Sequence, residues 1–212
     1  MRVDHVSYAA ESGGLRDTAG RLAEALGVEA VDGGVHPRFG TRNMVVPLLD
    51  GRLVEVVEVL DHPASDKAPF GQAVRQRSQD GGGWLGWVVA VDDLGPAEER
   101  LGRHAAPGNR HRPDGVELRW RQLGIKGLIA DPQLPFLIQW ETGNELHPSL
   151  AGPTNARLTG LQIAGDPRRV TDWLGLEPGF TVSTVDFNFV APHGTPGLLS
   201  CVFDTPRGPI TI

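Results

Sequence analysis

His5 and Glu55 are the pair in this chain best suited to chemistry. They are an imidazole and a carboxylate 50 positions apart, each inside a strand-like run of mostly apolar residues. An imidazole titrates near neutrality and a carboxylate serves as a base, so together they suit proton transfer or ligation of a divalent ion. Side chains alternate along a strand with a period of two, and both are expected on one concave face. Between them runs Gly33-Gly34-Val35-His36-Pro37-Arg38-Phe39-Gly40-Thr41-Arg42-Asn43, dense in polar residues that do not alternate. Its glycines would let backbone approach a ligand, while His36, Thr41, Arg42 and Asn43 offer polar contacts. Arg42 or Arg38 could clamp a carboxylate or phosphate through two parallel bonds. The same glycines also suit a bulge and a turn, with Asn43 tying loop backbone.

The elements that would position these residues repeat. Val3-Asp4-His5-Val6-Ser7-Tyr8 returns as Leu85-Gly86-Trp87-Val88-Val89-Ala90 and again as Thr159-Gly160-Leu161-Gln162-Ile163-Ala164. After each copy come a helical segment and strand-like runs, so three units of order βαβββ are expected. In the first, a helix over 15–26 ends at Gly27, and strands follow near 34–39, 42–49 and 52–60. The second has a strand at 85–91, a helix at 96–104 and strands near 116–123, 125–130 and 135–141. In the third, a strand over 158–164 and a helix over 167–174 precede strands near 180–190, 197–204 and 208–212. Linkers at 61–83 and 142–157 are polar. Residues 1–150 then form one domain of two units (1–61 and 84–142), with 151–212 a third unit packed on it. By this alignment Trp87 and Leu161 stand where the first unit has His5, and Gln139 stands where it has Glu55. Trp84, Trp87, Trp120 and Trp140 suit a core, while Trp87 and Trp140 could instead form an apolar cleft wall.

Bulk properties exclude several classes. With 20 basic and 26 acidic residues, a net charge of −6 and no basic stripe, no nucleic-acid partner is expected. The lone Cys201 rules out an internal disulfide framework and every multi-cysteine metal site. No apolar run is long enough for a membrane span, and the N-terminal stretch is no signal peptide, so a cytoplasmic protein is expected. The chain contains no G-x-S-x-G elbow, P-loop or H-E-x-x-H helix.

Tandem βαβββ units with a His on the first strand and a Glu on the last resemble the vicinal oxygen chelate superfamily, the glyoxalase and bleomycin-resistance fold. The segment from Gly33 to Asn43 is similar to the GG-x-HPG-x-GT-x-N segment of its glyoxalase-like domain branch. Leu53-Val54-Glu55-Val56 and Pro135-Phe136-Leu137-Ile138-Gln139-Trp140 are similar to that branch's YLEL and PFFIQW segments. The resemblance implies an α+β fold in which two units form a half-open curved sheet around a cleft. Metal-dependent members draw ligands from the first and last strands of both units, which here gives His5, Glu55 and the weaker donor Gln139, with no ligand from Trp87. One divalent ion (zinc, nickel, manganese or iron) is therefore one expectation, and no metal is the other. Without metal, His5 is a hydrogen-bonded cleft residue and Glu55 a buried carboxylate paired with Arg42 or Arg52. Two functions follow. One is a lyase or isomerase (less readily a dioxygenase, which would need His36 as second histidine). In it Glu55 is base or ligand, and His36, Arg42, Asn43, Trp87 and Trp140 hold a small oxygen-bearing compound. The other is a metal-free protein that sequesters a small molecule. The odd third unit leaves a sheet edge to cover, within the chain or in a homodimer.

Overall fold

The computed structural model describes residues 1–176, 182 and 184–212. The first unit comprises β1 (Arg2–Ala9), α1 (Gly14–Leu26), β2 (Val31–His36), β3 (Thr41–Leu48) and β4 (Arg52–Val59). Leu15, Ala19, Leu22, Ala23 and Leu26 recur at helical spacing and are all buried, which is why this segment is a helix lying on the sheet. Gly27, at φ +70°, ends it in the left-handed conformation, and its N–H returns to the carbonyls of Ala23 and Glu24. Two helices follow, α2 (Pro63–Lys67) and α3 (Pro69–Gln79), where the sequence reads as linker. Phe70, Ala73 and Val74 give α3 a buried face despite its polar composition.

The second unit is β5 (Gly83–Ala90), α4 (Gly95–Leu101), β6 (Ala106–His111), β7 (Glu117–Leu123), α5 (Gly127–Ala130) and β8 (Phe136–Trp140). Its order matches expectation, but two elements differ. The strand expected at 125–130 is the short helix α5, and the missing strand is β6, whose Pro107-Gly108-Asn109 reads as a turn in sequence. The eight strands close into a barrel ordered β1-β4-β3-β2-β6-β7-β8-β5, which makes the curved, barrel-like cleft expected of two paired units fully closed. In both units the last strand pairs parallel with the first, β4 with β1 and β8 with β5. Antiparallel pairing of β1 with β5 forms one seam, and β2 with β6 closes the other at Val35 and His111. Gly34 makes that closure possible: it has φ +97°, and a Cβ there would lie 1.9 Å from the His111 carbonyl oxygen.

Residues 157–212 contribute β9 (Arg157–Ala164), α6 (Pro167–Leu174), β10 (Asp186–Val190), β11 (Gly197–Thr205) and β12 (Gly208–Thr211). The beginning of the strand expected at 180–190 falls on residues outside those described. This unit keeps the βαβββ order but not the pairing, since its sheet runs β10-β9-β11-β12 with β9 internal. It packs on the barrel through one large apolar cluster that joins Val6, Leu22, Trp84 and Trp87 to Leu161, Cys201 and Phe203. The Trp84 indole stacks on Phe203 and donates to the Ile212 carbonyl at 2.8 Å. A second, smaller cluster lies inside the barrel and under α3, built from residues such as Phe70, Val88, Trp120, Phe136 and Ile138. No helix among the described residues is long and apolar enough to cross a membrane.

Candidate functional site

The inward-facing residues leave a pocket within the barrel. Its volume is about 40 Å³. That is room for a small organic group rather than an extended chain. Its polar groups are His5 from β1, His36 from β2, Glu55 from β4, Arg110 from β6 and Gln122 from β7. Aromatic rings form much of the rest: Phe39, Phe70, Trp120, Phe136 and Trp140.

Glu55 is the centre of the polar side. Its Oε1 accepts from Asn43 Nδ2 at 2.8 Å and its Oε2 from Ser7 Oγ at 3.0 Å. The His36 Nε2 lies 3.7 Å from Oε1 and the His5 Nε2 lies 3.9 Å from Oε2. Burial pushes the carboxyl's pKa up, but the neighbouring His36 and His5, the Asn43 hydrogen bond and Arg110 outweigh it, and the net shift is downward. Glu55 is therefore ionised at neutral pH although only 7% exposed. For His36 the balance goes the other way. Burial lowers its pKa to about 4 against the pull of Glu55, so the ring is neutral, with Nδ1 on Thr41 Oγ1 at 3.0 Å.

His5 is oriented from behind by Asp4. The Asp4 carboxylate is completely buried, with Oδ2 2.9 Å from His5 Nδ1 and Oδ1 3.2 Å from His147 Nε2 and 2.9 Å from Arg2. Although burial alone would raise its pKa, bonds from His147 and His5 hold it well below the usual carboxylate range. The ionised Asp4 accepts a hydrogen bond from His5 Nδ1–H, and with the proton on Nδ1 the ring presents the lone pair of Nε2 toward Glu55. Two acceptors then face each other across 3.9 Å with no proton to share, and both can serve one donor between them. Neighbours on a strand ordinarily point to opposite faces. Here the pairing of β1 with β5 shifts register between Val3 and His5, which brings residues 4 and 5 into contact.

The sequence model of the glyoxalase-like domain family matches residues 3–177. The chain belongs to that family. Among solved structures it is similar to a hypothetical protein from Staphylococcus aureus, with a TM-score of 0.69 at 12% identity over 98% of this chain and 92% of that one. The methylmalonyl-CoA epimerase of Streptomyces coelicolor, in complex with 2-nitronate-propionyl-CoA, matches at a TM-score of 0.42 and 17% identity. That match covers 67% of this chain and 99% of the epimerase. A hypothetical protein from Bacillus halodurans gives 0.42 at 11% identity, over 67% of this chain and 94% of its own. The comparison with curated protein sequences gives no match. The family match and the likeness to the Staphylococcus aureus protein establish the glyoxalase-like fold.

Within that fold, His5, Glu55, His36 and Trp140 come together in the pocket, and Asn43 stands behind Glu55. Three expected residues do not. Gln139 faces the opposite side of β8 from Ile138 and Trp140, and its Oε1 accepts from the Leu94 N–H at 3.0 Å beside α4. Trp87 is fully buried in the cluster under the third unit, donating to the Gln133 carbonyl and packing on Phe187. Arg42 lies outside the barrel in a 2.6 Å ion pair with Glu58. Neither Arg42 nor Arg52 pairs with Glu55: Arg52 bonds Asp50, the Val3 carbonyl and Thr184 instead. Asp4 and Arg110 are not anticipated from the sequence, where His147 suits either a cap of the cleft mouth or an ordinary linker position. In the fold His147 is buried between Asp4 and the Trp140 ring.

With Gln139 turned away, the metal ligands implied by the resemblance reduce to His5 and Glu55. His36 adds a nitrogen, but the two imidazoles approach different oxygens of the carboxylate. Among the described residues no group of three or more His, Cys, Asp or Glu side chains is arranged to hold a metal ion. The donor set therefore does not fit the centre that the resemblance implies.

Proposed function

We propose that the barrel binds a small, mostly apolar carbonyl compound and that Glu55 removes a proton from the carbon beside the carbonyl. Return of that proton to another position or face makes the protein an isomerase. Loss of a group from the adjacent carbon makes it a lyase. The observation that carries the reading is the ionised Glu55 carboxylate within an aromatic pocket. Asn43 and Ser7 hold it in place, and each oxygen faces an imidazole nitrogen. Such a base needs no metal to be ionised at neutral pH. His5, steadied by Asp4, is placed to accept a hydrogen bond from the protonated Glu55 or from a substrate hydroxyl.

Hydrogen–deuterium exchange at the α-carbon of arylacetones such as phenylacetone, followed by NMR in heavy water, tests this. The wild-type protein should accelerate exchange and Glu55→Gln should not. Equal rates with both proteins would sink the base. A second reading, favoured by the aromatic walls, is sequestration without turnover; it requires Glu55→Gln to bind the same compounds as tightly as wild type, with no exchange in either.

A further inference from the structure

Arg110 is the one charged pocket residue that the proton-transfer reading leaves without work. It projects from β6, is 5% exposed, and its Nε has no hydrogen-bond partner. Burial draws its pKa down to about 10, which still leaves it cationic at neutral pH. The charges that act on it are Glu55 and Asp32, which favour its cationic form, and Arg112, which opposes it. None of them occupies its fork. The Glu55 oxygens are taken by Asn43 and Ser7, Asp32 accepts from the Gly34 N–H, and Arg112 pairs with Asp114 at 2.6 Å. A buried guanidinium with an empty donor is costly to a fold, and an apolar residue would avoid the cost. The Gly33 backbone makes room for it, because a Cβ there would lie 3.1 Å from Arg110 Nη1 and 2.1 Å from the Asn43 amide oxygen.

We infer that Arg110 receives the oxygen on which negative charge develops when Glu55 takes its proton. The inference rests on Glu55 as the base. The C–H bond breaks, its proton passes to a Glu55 oxygen, and the released electron pair forms a C=C bond. The carbonyl π pair moves onto oxygen, which becomes an enolate facing the guanidinium. Negative charge leaves Glu55 as it arrives beside Arg110, so the net charge of the pocket is unchanged. A planar donor set fixed in a dry site stabilises such an oxyanion without reorganising. The absence of a fitting metal centre and the presence of an unpaired buried cation then have one explanation. In this chain a side chain does what a divalent ion would do for the anion. The ligand class is neutral compounds whose oxygen is a weak acid in the bound state, enols and phenols among them.

The probe is 4-nitrophenol, whose phenolate absorbs in the visible and whose shape suits an aromatic pocket. Titrated against wild-type protein, it should ionise when bound at a pH where the free phenol is protonated, its apparent pKa falling by at least about one unit, a tenfold effect. Arg110→Gln should abolish the phenolate band. Arg110→Lys, which keeps the charge and loses the fork, should retain part of it, and melting curves show that each variant is folded. In Glu55→Gln the band should persist, because the oxyanion site does not depend on the base. Loss of α-proton exchange in that variant with the band intact tests the base separately from the cation. No band in the wild type, or an undiminished one in Arg110→Gln, overturns the inference.

Discussion

The two halves of the barrel share element order and strand pairing but divide the labour unequally. The first supplies His5, His36, Asn43 and Glu55 with one ring, Phe39; the second supplies Trp120, Phe136, Ile138 and Trp140 with one cation, Arg110, and one amide, Gln122. The backbone frame is thus duplicated while the inward-facing residues are not. In the second half, Val88 and Ile138, in the cluster inside the barrel, are 50 positions apart, the same separation as His5 and Glu55. The pair that would complete a symmetric four-ligand site is aliphatic. One half became the reactive face and the other the wall, which suits an apolar guest attacked from one side.

Breaking the reactive half should produce the largest effect. Glu55→Gln is expected to lower α-proton exchange by roughly 10²-fold or more, the scale of a lost general base. In the wall half the mirror experiment is Trp87→Ala. This residue lies outside the pocket, so the expected loss is about 3–5 kcal/mol of stability by denaturant titration, with ligand affinity unchanged in the folded fraction. A change in affinity would return Trp87 to the cleft.

Acid sharpens the contrast further. The folded-state pKa of His36 is about 4, below its value of 6.5 in the unfolded chain. Between those values the unfolded state binds more protons, so stability is full above pH 6.5 and declines as pH falls toward 4. The loss attributable to this ring is on the order of 3 kcal/mol. His36→Gln should flatten the pH dependence of melting in that window. An unchanged slope would show that the ring is not buried neutral.

The reach of the sequence follows from the same physics. The first unit was legible because β1, α1, β3 and β4 carry strong periodicity. Glu55 and His5 fall on inward positions of β4 and β1, while Gly27 marks the end of α1 and Gly51 the turn before β4. In the second unit the repeat gave the element order but not the register. An alignment through Trp87 and Gln139 is off by one residue, and with a period of two that exchanges inside for outside. Arg110 was hidden because Pro107-Gly108-Asn109 looks like a turn, while Gly108 in fact yields space to the Trp120 indole. Asp4 was hidden by a register shift in the β1–β5 ladder, which no local pattern signals. His147 depends on a contact across more than 140 positions, beyond the range of periodicity.

The smallest expected effects belong to the residues that the alignment placed in the site and the fold places outside it. Gln139 contributes one hydrogen bond to the Leu94 N–H at the start of α4, so Gln139→Ala should cost about 1 kcal/mol. Arg42 and Glu58 form an ion pair in which the Arg42 side chain is half exposed, and such pairs contribute roughly 0–1 kcal/mol. Arg42→Gln should therefore leave stability nearly unchanged and both α-proton exchange and 4-nitrophenol binding intact. Elemental analysis of the untagged Gln139→Ala protein adds a sharper contrast. Because the Gln139 amide is turned toward α4, its removal should not alter retention of zinc, nickel, manganese or iron after dialysis. A divalent ion held at one per chain by the wild type and released by this variant would mean that β8 can rotate its register inward. The division between reactive half and wall would then be a property of one state of the barrel rather than of its sequence.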